Sequence, residues 1–116
     1  MNINIQKETL EQPLSQIIGV VEKRQTLPIL GNVYLELAQN KLTLIGSDLE
    51  TEITTRVDNV GGQDGKTTVS ARKLFDICRS LPNESQLSLI VEENNKMVVK
   101  AGKSRFSLQT LNAIDY

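Results

Sequence analysis

The sequence has 116 residues, of which 39% are hydrophobic, and its formal net charge is −1 because 13 Lys and Arg stand against 14 Asp and Glu. A chain of this length suffices for one domain with a single hydrophobic core. It contains no histidine and one cysteine, which removes the Ser-His and Cys-His catalytic pairs and the commonest zinc ligand, and allows no internal disulfide.

The chain also shows no secretory signal and no apolar run long enough to cross a bilayer. Cys78 falls between Leu74 and Leu81 on the apolar stripe of a predicted helix, so we interpret it as a small core residue. These features predict a cytoplasmic protein that needs no metal, no cofactor and no membrane contact, and they disfavour an enzyme.

The first half of the chain reads as one strand, one helix and three strands. It opens on an alternating strand, Asn2–Gln6, followed by a helical spacing of apolar residues from Leu10 to Val21. Pro13 weakens the prediction of the first helical turns, because an interior proline forfeits a hydrogen bond. Short strands follow over residues 33–38, 41–46 and 50–57, with turn residues such as Asn40 between them.

The second half repeats this order, with a strand at 67–70, a helix at 71–81 and strands at 86–92, 96–101 and 104–111. Sliding the chain by 64 residues places Ile5 on Val69 and Leu10 on Leu74. We therefore predict a βαβββ unit used twice, over residues of about 1–60 and 66–116. Neither unit can hold a core alone, so we expect an α+β domain with both helices on one side of an antiparallel sheet. The strand residues expected beneath the helices are Leu35, Leu37, Leu42, Leu44, Ile53, Val57, Leu87, Leu89, Val91, Met97, Val99 and Phe106.

Between the two units lies GGQDGKTT, residues 61–68, whose end resembles the phosphate-binding loop of nucleotide hydrolases. That loop needs its first glycine five residues before Gly65, where Val60 stands. The preceding segment, 50–57, alternates like a half-exposed antiparallel strand and not like a buried parallel one. We interpret residues 61–68 as a turn-rich hinge, while a small nucleotide-binding enzyme built on them stays open as an alternative.

Charge is segregated along the chain. Residues 36–58 carry five acids and two bases, and residues 82–95 carry three acids and no base. Residues 71–81 carry three bases and one acid, and residues 96–105 carry four bases alone. This pattern favours one positive and one negative face, although ordinary solvated surfaces would also produce it. Arg72 and Arg79 are seven residues apart and share one helix face.

Four motifs resemble the first domain of the bacterial DNA sliding clamps, the beta subunits of DNA polymerase III. They are KRQTLPILGN at 23–32, GSDLE at 46–50, ARKLFDICRSLP at 71–82 and GKSRFSL at 102–108, in register over almost the whole chain. The resemblance implies the DNA-clamp fold and a longer chain of three such domains. Two chains would close head to tail into a homodimeric ring around duplex DNA, and the absent domains would bind the polymerase and the clamp loader.

The resemblance further implies a non-catalytic processivity factor for DNA replication, which slides on phosphate contacts without reading bases. It points to Arg24 and Arg72 as DNA-binding residues, with Lys23 and Arg79 as weaker candidates. It places the first domain's half of the dimer interface at Lys73, Lys96, Lys103, Arg105, Phe106 and Leu108. An interior packing role competes for Phe106 and Leu108, and a protein-interaction scaffold with this fold but no DNA role remains another alternative.

Overall fold

The computed structural model describes residues 1–21, 31–48 and 50–113, which form an antiparallel sheet covered by two helices. The sheet order is β4-β3-β2-β6-β9-β8-β7-β1-β5. The elements of this part of the chain are β1 (Asn2–Gln6), α1 (Lys7–Val21), β2 (Asn32–Ala38), β3 (Lys41–Ser47), β4 (Glu52–Val57), β5 (Gly61–Gln63), β6 (Gly65–Ser70), α2 (Ala71–Ser80), β7 (Gln86–Glu92), β8 (Lys96–Ala101) and β9 (Ser104–Leu111). The predicted α+β fold is confirmed.

The order β1-α1-β2-β3-β4 recurs as β6-α2-β7-β8-β9, and each set contributes its first strand to the other set's part of the sheet. Strand β1 pairs with β7, as in Ile3 opposite Leu89, and β6 pairs with β2, as in Val33 opposite Val69. The two halves of the sheet meet where the end of β9 pairs with β6. There the buried Thr68 hydroxyl donates to the backbone oxygen of Leu111 at 2.8 Å and accepts from the Asn32 amide at 3.1 Å.

Helix α2 is well defined by its ends. Ser70 precedes it and its side-chain oxygen accepts a hydrogen bond from the backbone N–H of Lys73 at 3.2 Å, a standard N-cap. Leu81 follows the helix in an extended conformation, just before Pro82. Helix α1 accommodates Pro13 in its interior, and the ring is buried against the core. Neither described helix combines the length and apolar composition needed to span a bilayer.

The core lies between the helices and the sheet, close to where the sequence predicts it. Helix α1 packs on β3 and β4, α2 packs on β2 and β6, and the helices contact each other. Most of the predicted strand residues are buried, whereas four lie at its margin and are partly exposed: Ile53, Val57, Val91 and Phe106. Cys78 is fully buried, as predicted. Burial, followed by the nearby Glu11 carboxylate, raises the pKa of its thiol to about 12.

The segment 61–68 is not the turn-rich hinge that its glycines and aspartate suggested. Residues Gly61–Gln63 form β5, which pairs with β1, and β6 begins at Gly65. Gly62 has φ +138°, and a Cβ there would lie 2.1 Å from the backbone oxygen of Asn2, so only glycine fits. Lys66 and its two threonines lie within a strand and not at a helix N-terminus. The backbone therefore lacks the phosphate cradle that the nucleotide-binding alternative requires.

Candidate nucleic-acid interface

The solvent side of α2 is a compact basic surface. Arg72, Lys73 and Arg79 are exposed there, and the one acid among them, Asp76, lies one turn from Arg72 with Oδ1 3.4 Å from the Arg72 Nε. The predicted shared face of Arg72 and Arg79 is present. Both guanidinium groups lie over the ring of Phe75, at 6.0 Å and 5.5 Å from its centroid respectively.

Phe75 is a residue that the sequence reasoning missed. It is half-buried and packs against the edge of the core, and its outer side meets the two arginines. The signal was available, because Phe75 stands three residues after Arg72 and four before Arg79, which places all three side chains on adjacent turns of one face.

Most of the residues predicted for the dimer interface lie on or near β9. Lys73 and Leu108 line one cavity of 210 Å³, together with Leu111 at the end of β9. Lys96 and Leu108 line another of 280 Å³. Phe106 and Leu108 are half-buried and pack against the core, whereas Lys103 and Arg105 are exposed at the turn from β8 and just beyond it. The structure thus places Leu108 beside both Lys73 and Lys96, in separate cavities, and leaves Lys103 and Arg105 at the other end of the strand.

Strand β9 is only partly an edge strand. It lies inside the sheet order, because its last residues, Thr110 and Leu111, pair with β6. From Ser104 to Gln109, however, it pairs with β8 alone among residues 1–21, 31–48 and 50–113. One side of that backbone therefore offers free N–H and C=O groups to an incoming strand.

The segregated charges along the chain do not build one acidic and one basic side of the sheet. On the face away from the helices, Glu36 stands opposite Lys66 across β2 and β6, and the exposed Arg56 follows Glu52 on β4. The expected negative face is therefore a mixed one, because strand pairing brings distant acids and bases together. Across β8 and β9, by contrast, two bases stand directly opposite each other, Lys100 and Arg105.

Lys23 and Arg24 lie outside the described residues, so their roles stay predictions. Within the described ranges, no cluster of His, Cys, Asp and Glu is arranged to hold a metal ion. What the described residues offer is a basic helix face and a basic strand with an open backbone.

Comparison with known proteins identifies the family. All residues, 1–116, match the family described as DNA polymerase III beta subunit, N-terminal domain. The chain belongs to this family. Among its relatives, the beta sliding clamp of Pseudomonas putida is 50% identical over 117 residues, and that of Escherichia coli K12 is 46% identical over 117 residues. Each match covers 100% of this chain and 32% of the relative, so the chain spans about a third of their length.

Solved structures agree with this family assignment. The sliding clamp of Pseudomonas aeruginosa bound to griselimycin matches with a TM-score of 0.94 and 50% identity, over 100% of this chain and 31% of that one. The polymerase III beta protein of Caulobacter crescentus matches with a TM-score of 0.93 at 33% identity, over 100% of this chain and 32% of that one. The fold of the beta-subunit N-terminal domain is thus retained where two-thirds of the residues differ.

Proposed function

We propose that residues 1–116 are the first of three domains of a ring-shaped DNA sliding clamp, a non-catalytic processivity factor for DNA replication in the cytoplasm. The observation that carries this proposal is the match of the whole chain to the N-terminal domain of the beta subunit. Two such chains would form a head-to-tail homodimer around duplex DNA. The polymerase and the clamp loader would bind the other two domains.

The basic face of α2 supports a role in contacting DNA. Arginine binds phosphate through a planar fork of N–H groups, and contacts to the backbone carry no base information. Arg72 and Arg79 would meet phosphates from the helix, and Lys23 and Arg24 would meet them from the segment that follows α1. Such contacts hold a duplex and let it slide.

The proposal is tested in the three-domain protein with Arg72→Gln and Arg79→Gln, singly and together. We expect weaker binding of every duplex sequence to a similar degree, because phosphates are common to all of them. Each lost contact should reduce the slope of log K against log salt by about 0.9. Arg56→Gln is the matched control, since this exposed arginine lies on β4, beside α1 and not on α2.

Unchanged affinity and salt slope in the Arg72→Gln/Arg79→Gln protein would remove α2 from the DNA-binding face. If the intact ring binds no duplex at all at any salt concentration, the scaffold alternative replaces the clamp. Fluorescence anisotropy with duplexes of two unrelated sequences, measured at several salt concentrations, separates these outcomes.

We also propose that β9 forms the first domain's half of the dimer interface, through Lys73, Lys96, Lys103, Arg105, Phe106 and Leu108. The open backbone from Ser104 to Gln109 can accept a partner strand. Lys100 opposite Arg105 is unfavourable in isolation and becomes favourable beside an acidic strand. The same charges repel a second copy of β9, which favours a head-to-tail arrangement.

Reversing the charges with Lys103→Glu and Arg105→Glu should open the full-length dimer, more completely at low salt, where like charges are least screened. Sedimentation velocity at nanomolar concentration measures the dimer fraction, with Lys66→Glu on β6 as the control for charge reversal. A double mutant that remains dimeric at low salt would place the interface elsewhere.

A further inference from the structure

Three side chains on α2 form a stack in which two arginines contact one aromatic ring. The Phe75 ring lies in the middle of the helix face, and the guanidinium carbons of Arg72 and Arg79 lie 6.0 Å and 5.5 Å from its centroid. The ring is fixed from below because Phe75 packs against the buried core. We name Arg72, Phe75 and Arg79 the arginine–phenylalanine stack.

The two arginines of this stack differ in whether a carboxylate lies close enough to form an ion pair. Arg72 shares its charge with Asp76, whose Oδ1 lies 3.4 Å away. For Arg79, no carboxylate comes within ion-pair distance in residues 1–21, 31–48 and 50–113. The negative face of an aromatic ring attracts guanidinium groups at these distances. The ring therefore holds two like charges close together without neutralising either.

Such an arrangement suits a ligand that carries successive anionic groups. Long arginine side chains normally lose rotamer freedom when they bind, and a side chain that is already held against a ring loses less. A leucine in place of Phe75 would keep an apolar side chain at the margin of the core but would offer no aromatic face to the guanidinium groups. The ring thus provides an aromatic face to both guanidinium groups in addition to its packing against the core.

We infer that Phe75 is a positioning residue that pre-orders Arg72 and Arg79 as a paired site for the phosphodiester groups of duplex DNA. This inference rests on the proposed function. Phe75 acts through the two arginines and does not itself contact the phosphates. Both positive charges remain when the ring is removed, so loss of the ring should change the affinity for DNA but not the number of counterions released.

The test compares Phe75→Leu and Phe75→Tyr in the three-domain protein by duplex binding at several salt concentrations. Phe75→Leu should weaken binding roughly three- to fivefold for loss of the cation–π contacts, with the salt slope unchanged. Phe75→Tyr retains an aromatic face and should bind like the parent. In the Arg72→Gln/Arg79→Gln background, Phe75→Leu should have no further effect.

NMR spectroscopy of the DNA-free protein tests the contact between the ring and the arginines independently of DNA binding. In the parent and in Phe75→Tyr, ring currents should shift the Nε–Hε resonances of Arg72 and Arg79, and this shift should vanish in Phe75→Leu. Thermal unfolding of each variant shows whether the fold is intact at the binding temperature.

Three results would overturn the inference. Unchanged affinity in Phe75→Leu, while Arg72→Gln and Arg79→Gln weaken binding, refutes the positioning role and leaves the proposed function standing. A loss that persists in the double-glutamine background shows a general structural effect. If the two glutamine substitutions themselves change nothing, the DNA-facing role of α2 is wrong and the inference is refuted with it.

Discussion

The two helices occupy equivalent places in the fold and have opposite surface chemistry. Each begins directly after the first strand of its set, and a shift of 64 residues places α1 on α2. On the core side the aligned residues are apolar in both, as in Leu10 with Leu74. On the solvent side the aligned pairs are Glu8 with Arg72, Thr9 with Lys73 and Ser15 with Arg79. Packing against the sheet requires apolar residues on the core side of both helices, whereas only α2 has a basic solvent side.

The helices also differ at their first residue. Lys7 opens α1 and is only 6% exposed, whereas the aligned residue of α2 is Ala71. The Lys7 ammonium group donates to the backbone oxygen of Leu81, just beyond α2, at 2.7 Å. It also lies 3.8 Å from the Glu11 carboxylate. The start of α1 is therefore attached to the end of α2 by a buried charge, which stabilises the carbonyl end of that helix.

Among the substitutions at sites where the two helices differ, we expect Lys7→Met to have the largest effect on stability. It leaves the Leu81 oxygen and the buried Oε1 of the half-buried Glu11 without their cation, and we expect a loss of about 2–3 kcal/mol in the free energy of unfolding. Urea denaturation of the 116-residue chain measures it. Lys73→Met, on the exposed side of α2, is the matched control and should stay within about 0.5 kcal/mol of the parent. Equal losses in both variants would show that the buried contact contributes nothing.

A smaller effect should appear at alkaline pH, and it should arise from α2 alone. The residue of α1 aligned with Cys78 is Leu14, which cannot titrate. Because the pKa of Cys78 is raised from 9.0 to about 12 in the fold, the unfolded chain releases the thiol proton first. The stabilisation is complete below pH 9 and declines as the pH rises toward 12.

Between pH 8.5 and pH 10 the folded chain should therefore lose about 1 kcal/mol more stability than Cys78→Ala does. The pKa of Tyr34 is also raised to about 12, by burial and then by its hydrogen bond to Glu36, but it is present in both proteins and cancels. Urea denaturation at the two pH values provides the comparison. Parallel losses in the two proteins would mean that the buried thiol is not protected from ionisation.

The smallest effect tests whether α1 can be made like α2. Ser15 is exposed and aligned with Arg79, and Ser15→Arg adds one positive charge to α1 in the three-domain protein. We expect roughly threefold tighter duplex binding and a salt slope steeper by up to about 0.9, because the helices pack side by side. Ser15→Gln adds length without charge and should change neither quantity. An unaltered slope in Ser15→Arg would mean that α2 contacts the duplex without α1.

The strands were predictable wherever apolar and polar residues alternate, as Leu42 and Leu44 do in β3. Strand β5 was not predictable, because Gly61–Gln63 is exposed and is held by its pairing with β1, to which the Gln63 N–H adds a hydrogen bond to Asn2 Oδ1 at 3.1 Å. A segment without apolar residues carries no periodic signal. Its pairing depends instead on a glycine that can approach Asn2 closely, which is a property of the assembled sheet.

The candidate site was predictable in part for similar reasons. The shared face of Arg72 and Arg79 follows from helical spacing alone. The burial of Lys7 does not, since lysine is usually exposed and its acceptor is 74 residues away in sequence. The mixed charge of the outer sheet face likewise depends on which strands become neighbours, which local sequence patterns do not specify.

The exchange of first strands has a consequence for how the polypeptide can be divided. A chain ending after β4 would contain β1 without β7 and β2 without β6, leaving an open sheet edge on each strand. Because β1 and β6 hold equivalent places, a second copy of that half could supply the missing strand to the first and take one in return. The present molecule is, in effect, a strand-swapped dimer of half-domains whose two members have been joined covalently through β5. The two halves therefore cannot separate unless β1 leaves β7 and β6 leaves β2, which would unfold both halves.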